Sequence, residues 1–219
     1  MTMQPVGFAG AAFAAPDAPW DEAVTDIIEA GRRLDRFGWV PATAGNLSRR
    51  LKDGRIAITR SGGHKGFLTG KGVIEVGLDG GARHPDDRPS AETLLHCQIY
   101  RELLPEGAVL HGHSVAATVL SLESEDEIVF AGYELLKVFE GQNTHDTTLR
   151  LPVFDNDQDI ARLSTAIAPH LPSCAMGYLI RGHGIYVWGR TMETTLARLE
   201  GLEFLLACAL ERRKLGTIR

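Results

Sequence analysis

The chain has 219 residues, 44% of them hydrophobic, and carries 23 Lys and Arg against 28 Asp and Glu, a formal net charge of -5. That size suits one large domain with a sizeable core, and the composition excludes a collagen-like or mostly disordered chain. The charge balance argues against a nucleic-acid binder reading through a broad basic face, while a site for a small anion needs only local positive charge.

Met1 to Ala15 is rich in Ala and Gly, yet the first basic residue is Arg32, so the stretch lacks the basic start of a signal peptide. It reads as a loose tail over residues 1–19, with a single domain over 20–219. No apolar run of about 20 residues suggests a membrane helix. Cys97, Cys174 and Cys208 form an odd, sparse set without a Cys-x-x-Cys, which fits a reducing compartment and buried small apolar side chains.

The first predicted element is a helix over 20–37, from the spacing of Val24, Ile27, Ile28, Leu34 and Phe37, stopped by Gly38. After the small, polar stretch 40–48, strands near 47–51 and 55–59 are joined at Asp53-Gly54, a dipeptide that tolerates positive φ. A glycine-rich loop fills 60–72 and a strand 73–78. Ser90 is placed to cap a helix over 91–103. "AVLHGH" at 108–113 reads as a strand with a polar end, followed by a helix near 114–122. Residues 128–139 mix strand and helix signals. A strand over 147–154 and a helix over 157–169 follow. "GYLIRGHGIYVW" at 177–188 reads as a strand broken at a glycine-flanked histidine, and 191–212 as a long final helix. The irregular alternation indicates one α/β domain and leaves sheet topology open.

His111 and His113 are two residues apart, so in a strand both imidazoles project to one face and can share a divalent cation such as zinc. Exposed or hydrogen-bonded histidines would give the same spacing. His183, between Gly182 and Gly184, is a third candidate, because flanking glycines let backbone press close to a ligand. Three neutral imidazoles would leave the ion its full positive charge, able to polarise a ketone and stabilise a developing enediolate. Glu92, near a helix start, is either the carboxylate that moves a proton beside that ion or a simple partner of the helix dipole. His96 shares its face and suits a core or supporting role better than ligation. His145, in "GQNTHD", can line the site, His64 is ambiguous, and His84 and His170 read as surface residues. The loops "TAGNLS" at 43–48 and "TRSGG" at 59–63 can aim backbone N–H groups at an anion, with Lys65 and Ser90 adding donors, though ordinary turns have the same composition. Neither the nucleotide phosphate loop nor the dinucleotide fingerprint is present.

Taken together, "GNLS" at 45–48, "SG" at 61–62, "PSAET" at 89–93, "HGH" at 111–113 and "RGHG" at 181–184 resemble the class II aldolase/adducin family, in order and over nearly the whole chain after residue 20. Within it, "FGWVPATAGNLS", "ITRSGGHKG", "LPVFDN" and "RGHGIYVWG" look most like a branch of dehydratases acting on a phosphorylated methylthio-ketopentose. The resemblance implies a single-domain α/β fold with a central mixed, mainly antiparallel sheet flanked by helices. It also implies one zinc per subunit, a cytoplasmic location and a homo-oligomer, commonly a tetramer, with no nucleic acid or membrane partner. By motif position His111, His113 and His183 correspond to zinc ligands and Glu92 to the acidic catalytic residue. Asn46, Ser61, Gly62 and Ser90 correspond to the phosphate side, and Lys65 is consistent with the dehydratase branch. Ala91 stands where the family often has a second serine, which removes one hydroxyl donor. "RSGGHKG" differs from the aldolase "TPSG", which favours dehydration over aldol cleavage. A sugar-phosphate aldolase and a non-catalytic adducin-like interaction domain are the alternatives.

Overall fold

The structure is a computed structural model that describes residues 17–216. The tail expected at the N-terminus lies outside the described residues, apart from its last three. There the first helix, α1 (Ala18–Arg36), already begins, with the Asp17 carboxylate accepting the Trp20 amide at 3.3 Å. α1 buries Ala23, Ile27, Ala30 and Leu34, one stripe at helical spacing. Phe37 lies past the helix end and remains half exposed, stacked on Trp39 with ring centroids 4.6 Å apart.

The strands are β1 (Asn46–Arg50), β2 (Ile56–Thr59), β3 (Val73–Val76), β4 (Gly107–Gly112), β5 (Glu127–Ala131), β6 (Thr148–Phe154), β7 (Tyr178–Ile180) and β8 (Gly184–Gly189). They form one eight-stranded sheet in the order β3-β2-β1-β4-β8-β7-β6-β5. Every neighbouring pair is antiparallel except β6 and β7. The remaining helices are α2 (Thr93–Glu102), α3 (Val115–Glu123), α4 (Ile160–Ile167) and α5 (Met192–Lys214).

Strand parity divides the core into two layers. Leu47, Ala57, Ala108, Leu110, Leu179, Ile185 and Val187 face α1, α3 and α5. Ile56, Ile58, Val109, Tyr178, Ile180, Tyr186 and Trp188 face α2 and α4. β4 and β8 are buried at every position, which explains why they read as continuous apolar runs instead of alternating ones. The β1–β2 hairpin turns at Asp53-Gly54 as expected, with Gly54 at φ +91°.

The start of α2 departs from expectation. The helix begins at Thr93, with Glu92 in the cap position and no side-chain cap bond. A preceding turn, closed by the Thr93 amide donating to the Ser90 carbonyl at 3.1 Å, takes residues 90–92 out of the helix. Ser90 therefore does not cap it: its hydroxyl accepts the Glu92 amide at 3.4 Å and the Asn46 amide at 3.2 Å.

Between α3 and α5 lies a buried acid. Glu203 is only 3% exposed, and burial pushes its carboxyl up to about 7 from an ordinary 4.5, against the lowering effect of a hydrogen bond from Ser114. The unfolded chain releases this proton near 4.5 and the folded chain holds it to about 7, so stability falls as pH rises through that window and is level above it. Glu203→Gln removes the penalty. It is expected to stabilise the protein by up to about 3 kcal/mol at pH 8 and by little at pH 4, as read from denaturant midpoints at the two pH values.

Candidate metal centre and active site

The site forms where the ends of β1, β4 and the β7–β8 connection meet the start of α2. Register places Asn46 opposite His111, His111 opposite Tyr186, and Tyr186 opposite Tyr178, so one row of side chains crosses four strands on the α2 face. The His111 ring is fully buried and stacks on Tyr186, with centroids 4.1 Å apart and 16° between planes. Its Nδ1 donates to the Ile185 carbonyl at 2.9 Å, which fixes the tautomer and turns the Nε2 lone pair toward the cleft. His113 lies just past the strand end, where its amide donates to the Trp39 carbonyl at 2.7 Å.

His183 arrives from the β7–β8 turn, closed by its amide donating to the Ile180 carbonyl at 3.0 Å. Gly182 takes φ +63° there and donates its amide to the Ser121 hydroxyl at 2.9 Å. Arg181 donates to the Ser121 carbonyl at 2.9 Å, tying the turn to the end of α3. Gly184 must lack a side chain, because a Cβ would meet the Gly112 carbonyl oxygen at 2.3 Å and His111 Cε1 at 2.8 Å. The glycines around His183 thus allow backbone to press against the first histidine.

Ligand atoms of His111, His113 and His183 lie within 4.8 Å of one another. Burial lowers the proton affinity of His111 well below the ordinary range and that of His113 to about 4, so both are neutral with lone pairs available at neutral pH. His111 Nε2 is buried without a hydrogen-bond partner among the described residues. An orphaned imidazole nitrogen beside two further imidazoles fits a divalent cation of the kind nitrogen ligands favour.

Glu92 faces this triad. Its carboxylate lies 2.9 Å from His183 Nε2 and 3.4 Å from His111 Nε2. Asn46 Nδ2 donates to Oε2 at 2.7 Å. Burial opposes ionisation, but the contact with His183 and the hydrogen bond from the Asn46 amide outweigh it and hold Glu92 below the usual carboxylate range. A largely buried carboxylate set beside a cation-binding group is placed to exchange a proton with a substrate held there.

The two loops expected to hold an anion converge on the same place. A cleft of about 320 Å³ is lined by residues 43–46, 59–62, Lys65, Ser90, Glu92, His113 and His183. The bridge between Arg60 and Pro89 brings the Ser61–Gly62 turn beside Ser90. Lys65 is 2% exposed and donates to the carbonyls of Thr43 at 2.6 Å and Gly63 at 2.8 Å, so it ties the two loops together. Desolvation lowers its proton affinity. His145 does not join the site: it is exposed and lies 3.8 Å from Glu134. His64 caps a short 3₁₀ turn by accepting the Gly66 amide at 3.2 Å, and His84 and His170 are exposed. His96 is fully buried and hydrogen-bonds Asn46 and Ser48.

Residues 25–210 match the class II aldolase and adducin N-terminal domain. The chain belongs to the class II aldolase and adducin family. It is 73% identical over 199 residues to the methylthioribulose-1-phosphate dehydratase of Gluconacetobacter diazotrophicus, covering 90% of this chain and 97% of that protein. It is 66% identical over 197 residues to the protein of that name from Gluconobacter oxydans, covering 90% and 95%. Among solved structures, YgbL of Escherichia coli superposes with a TM-score of 0.76 at 22% identity, covering 90% and 91%. An L-fuculose 1-phosphate aldolase superposes at 0.73 with 19% identity, covering 92% and 89%. These two likenesses bear on the fold, a mixed sheet with helices on both faces. Among the described residues no helix is long and apolar enough to cross a membrane.

Proposed function

We propose that this family member is a zinc-dependent hydro-lyase. It removes water from 5-methylthioribulose 1-phosphate to give 2,3-diketo-5-methylthiopentyl 1-phosphate, a step of methionine salvage in the cytoplasm. High identity over nearly full length to dehydratases of that name supports the substrate. The observation that carries the chemistry is the ionised Glu92 set against three clustered imidazoles.

His111, His113 and His183 would hold the metal. When bound, the cation supplies Lewis-acid polarisation of the substrate's C2 carbonyl and steadies negative charge on that oxygen. Glu92 takes the C3 proton. The electron pair left at C3 expels the C4 hydroxyl, which departs as water with a proton from Glu92 or a nearby acid, and the resulting enol becomes the 2,3-diketone. Asn46, Ser61, Gly62, Ser90 and Lys65 form the phosphate side of the cleft, which anchors C1 and orients C3 toward Glu92. Lys65 acts there chiefly through the two loops that it joins. The working assembly is a homotetramer.

Incubating the zinc-loaded protein with the methylthio sugar phosphate should yield a phosphorylated product 18 mass units lighter, about one water. Cleavage to dihydroxyacetone phosphate and an aldehyde would overturn the dehydratase reading in favour of an aldolase. Absence of both metal and turnover would favour an interaction domain, a role for which the converged histidines and Glu92 have no use.

A further inference from the structure

His96 is a charge-capable side chain in the core that the proposed reaction does not use. It belongs to a continuous chain of hydrogen bonds: Tyr100 Oη to Ser48 Oγ at 2.8 Å, Ser48 Oγ to His96 Nδ1 at 2.7 Å, His96 Nε2 to Asn46 Oδ1, and Asn46 Nδ2 to Glu92 Oε2 at 2.7 Å. Ser48, His96 and Tyr100 are buried to 1% exposure or less and Asn46 to 3%, so no bulk water substitutes for a missing link.

The direction of the chain follows from donor counting. Burial holds His96 neutral, down to about 3, so its ring has one N–H and one lone pair. Asn46 turns its amide nitrogen toward Glu92, donating to Oε2 at 2.7 Å. The second N–H of that group points to the Ser90 hydroxyl at 3.2 Å. Asn46 then presents its oxygen to His96, which requires the proton on Nε2. Nδ1 accepts from the Ser48 hydroxyl, and Ser48 accepts from Tyr100. The opposite direction would set the Asn46 oxygen against the carboxylate, acceptor to acceptor at 2.7 Å.

We infer that His96 is a positioning residue. Anchored by Ser48 and Tyr100, it locks the Asn46 amide so that Glu92 Oε2 is pinned and Oε1 is left to face His183 and the cleft. This rests on the reading of Glu92 as the proton-transfer group. It also gives Asn46 a task other than phosphate binding. Loss of the Ser48 hydroxyl frees the His96 tautomer, lets Asn46 flip, and turns a donor on Glu92 into a repulsive acceptor.

The test joins nitrogen NMR of the zinc-loaded protein to a double-mutant cycle. His96 should be a neutral Nε2–H imidazole between pH 6 and 8; an Nδ1–H tautomer overturns the chain. Ser48→Ala should lower kcat about tenfold, with KM within about twofold and metal content near wild type, alongside a lower thermal midpoint from the two buried groups left unpaired, and this loss of kcat should vanish in a Glu92→Gln background. His96→Gln, which keeps an N–H donor, should retain more kcat than His96→Leu. An unchanged kcat in Ser48→Ala, or the same fold-loss in both backgrounds, overturns the inference. Full turnover by Glu92→Gln alone overturns the proton-transfer role of Glu92, and the tautomer measurement still decides the chain itself.

Discussion

Glu92→Gln is expected to lower kcat by about 10³-fold, within the range of general acid–base groups, while leaving bound metal near one per subunit. The substitution is nearly isosteric. Its amide can still meet His183, now 2.9 Å from Oε1, so the surroundings need not collapse. On the proposed mechanism, what it removes is the ability to take a proton from C3 and pass it on. Turnover near wild type, measured as product formed by metal-replete protein, would overturn the role. A variant that lost metal and activity together would assign Glu92 to ligation instead.

His113→Ala is expected to weaken metal binding by more than about 10²-fold, beyond the 10–100-fold typical of groups that only support a ligand. Activity should fall in parallel and recover in part at high added zinc. His113 is the better test than His111. It sits past the end of β4 at the edge of the cleft, whereas His111 is packed on Tyr186 and bonded to Ile185, so its removal would also leave a cavity. Metal content after desalting checks the outcome, and unchanged occupancy would contradict ligation.

Much of this was legible from local sequence. The i, i+2 histidines, the glycines about His183 and the Asp-Gly turn each state a backbone requirement within a few residues. The two glycine-rich loops and Ser90 also met at one cleft. Sheet order was not legible, because β4 pairs with β1 and β8, strands far apart in the chain, and apolar runs do not name their partners. Ser90 looked like a helix cap because a hydroxyl before an apolar run has that meaning on average; an extra turn, with Asn46 claiming the hydroxyl, moved the helix start to Thr93. His145 drew attention by its polar neighbours, yet it faces outward near Glu134. The link from His96 to Glu92 passes through Asn46, 50 residues away in sequence, and no spacing rule reaches that far.

The ladder between β4 and β8, with Gly112 opposite Ile185, sets both His111 and the turn that delivers His183. An insertion or deletion of one residue inside either strand would invert the facing of everything beyond it. The histidine triad would come apart, however well the new sequence packed. Changes of length should therefore be tolerated in connections such as 77–89 and 140–147 and not within β4 or β8. Descendants of this scaffold can acquire new substrates by remodelling the 41–45 and 60–63 rims, while the two central strands stay fixed in length.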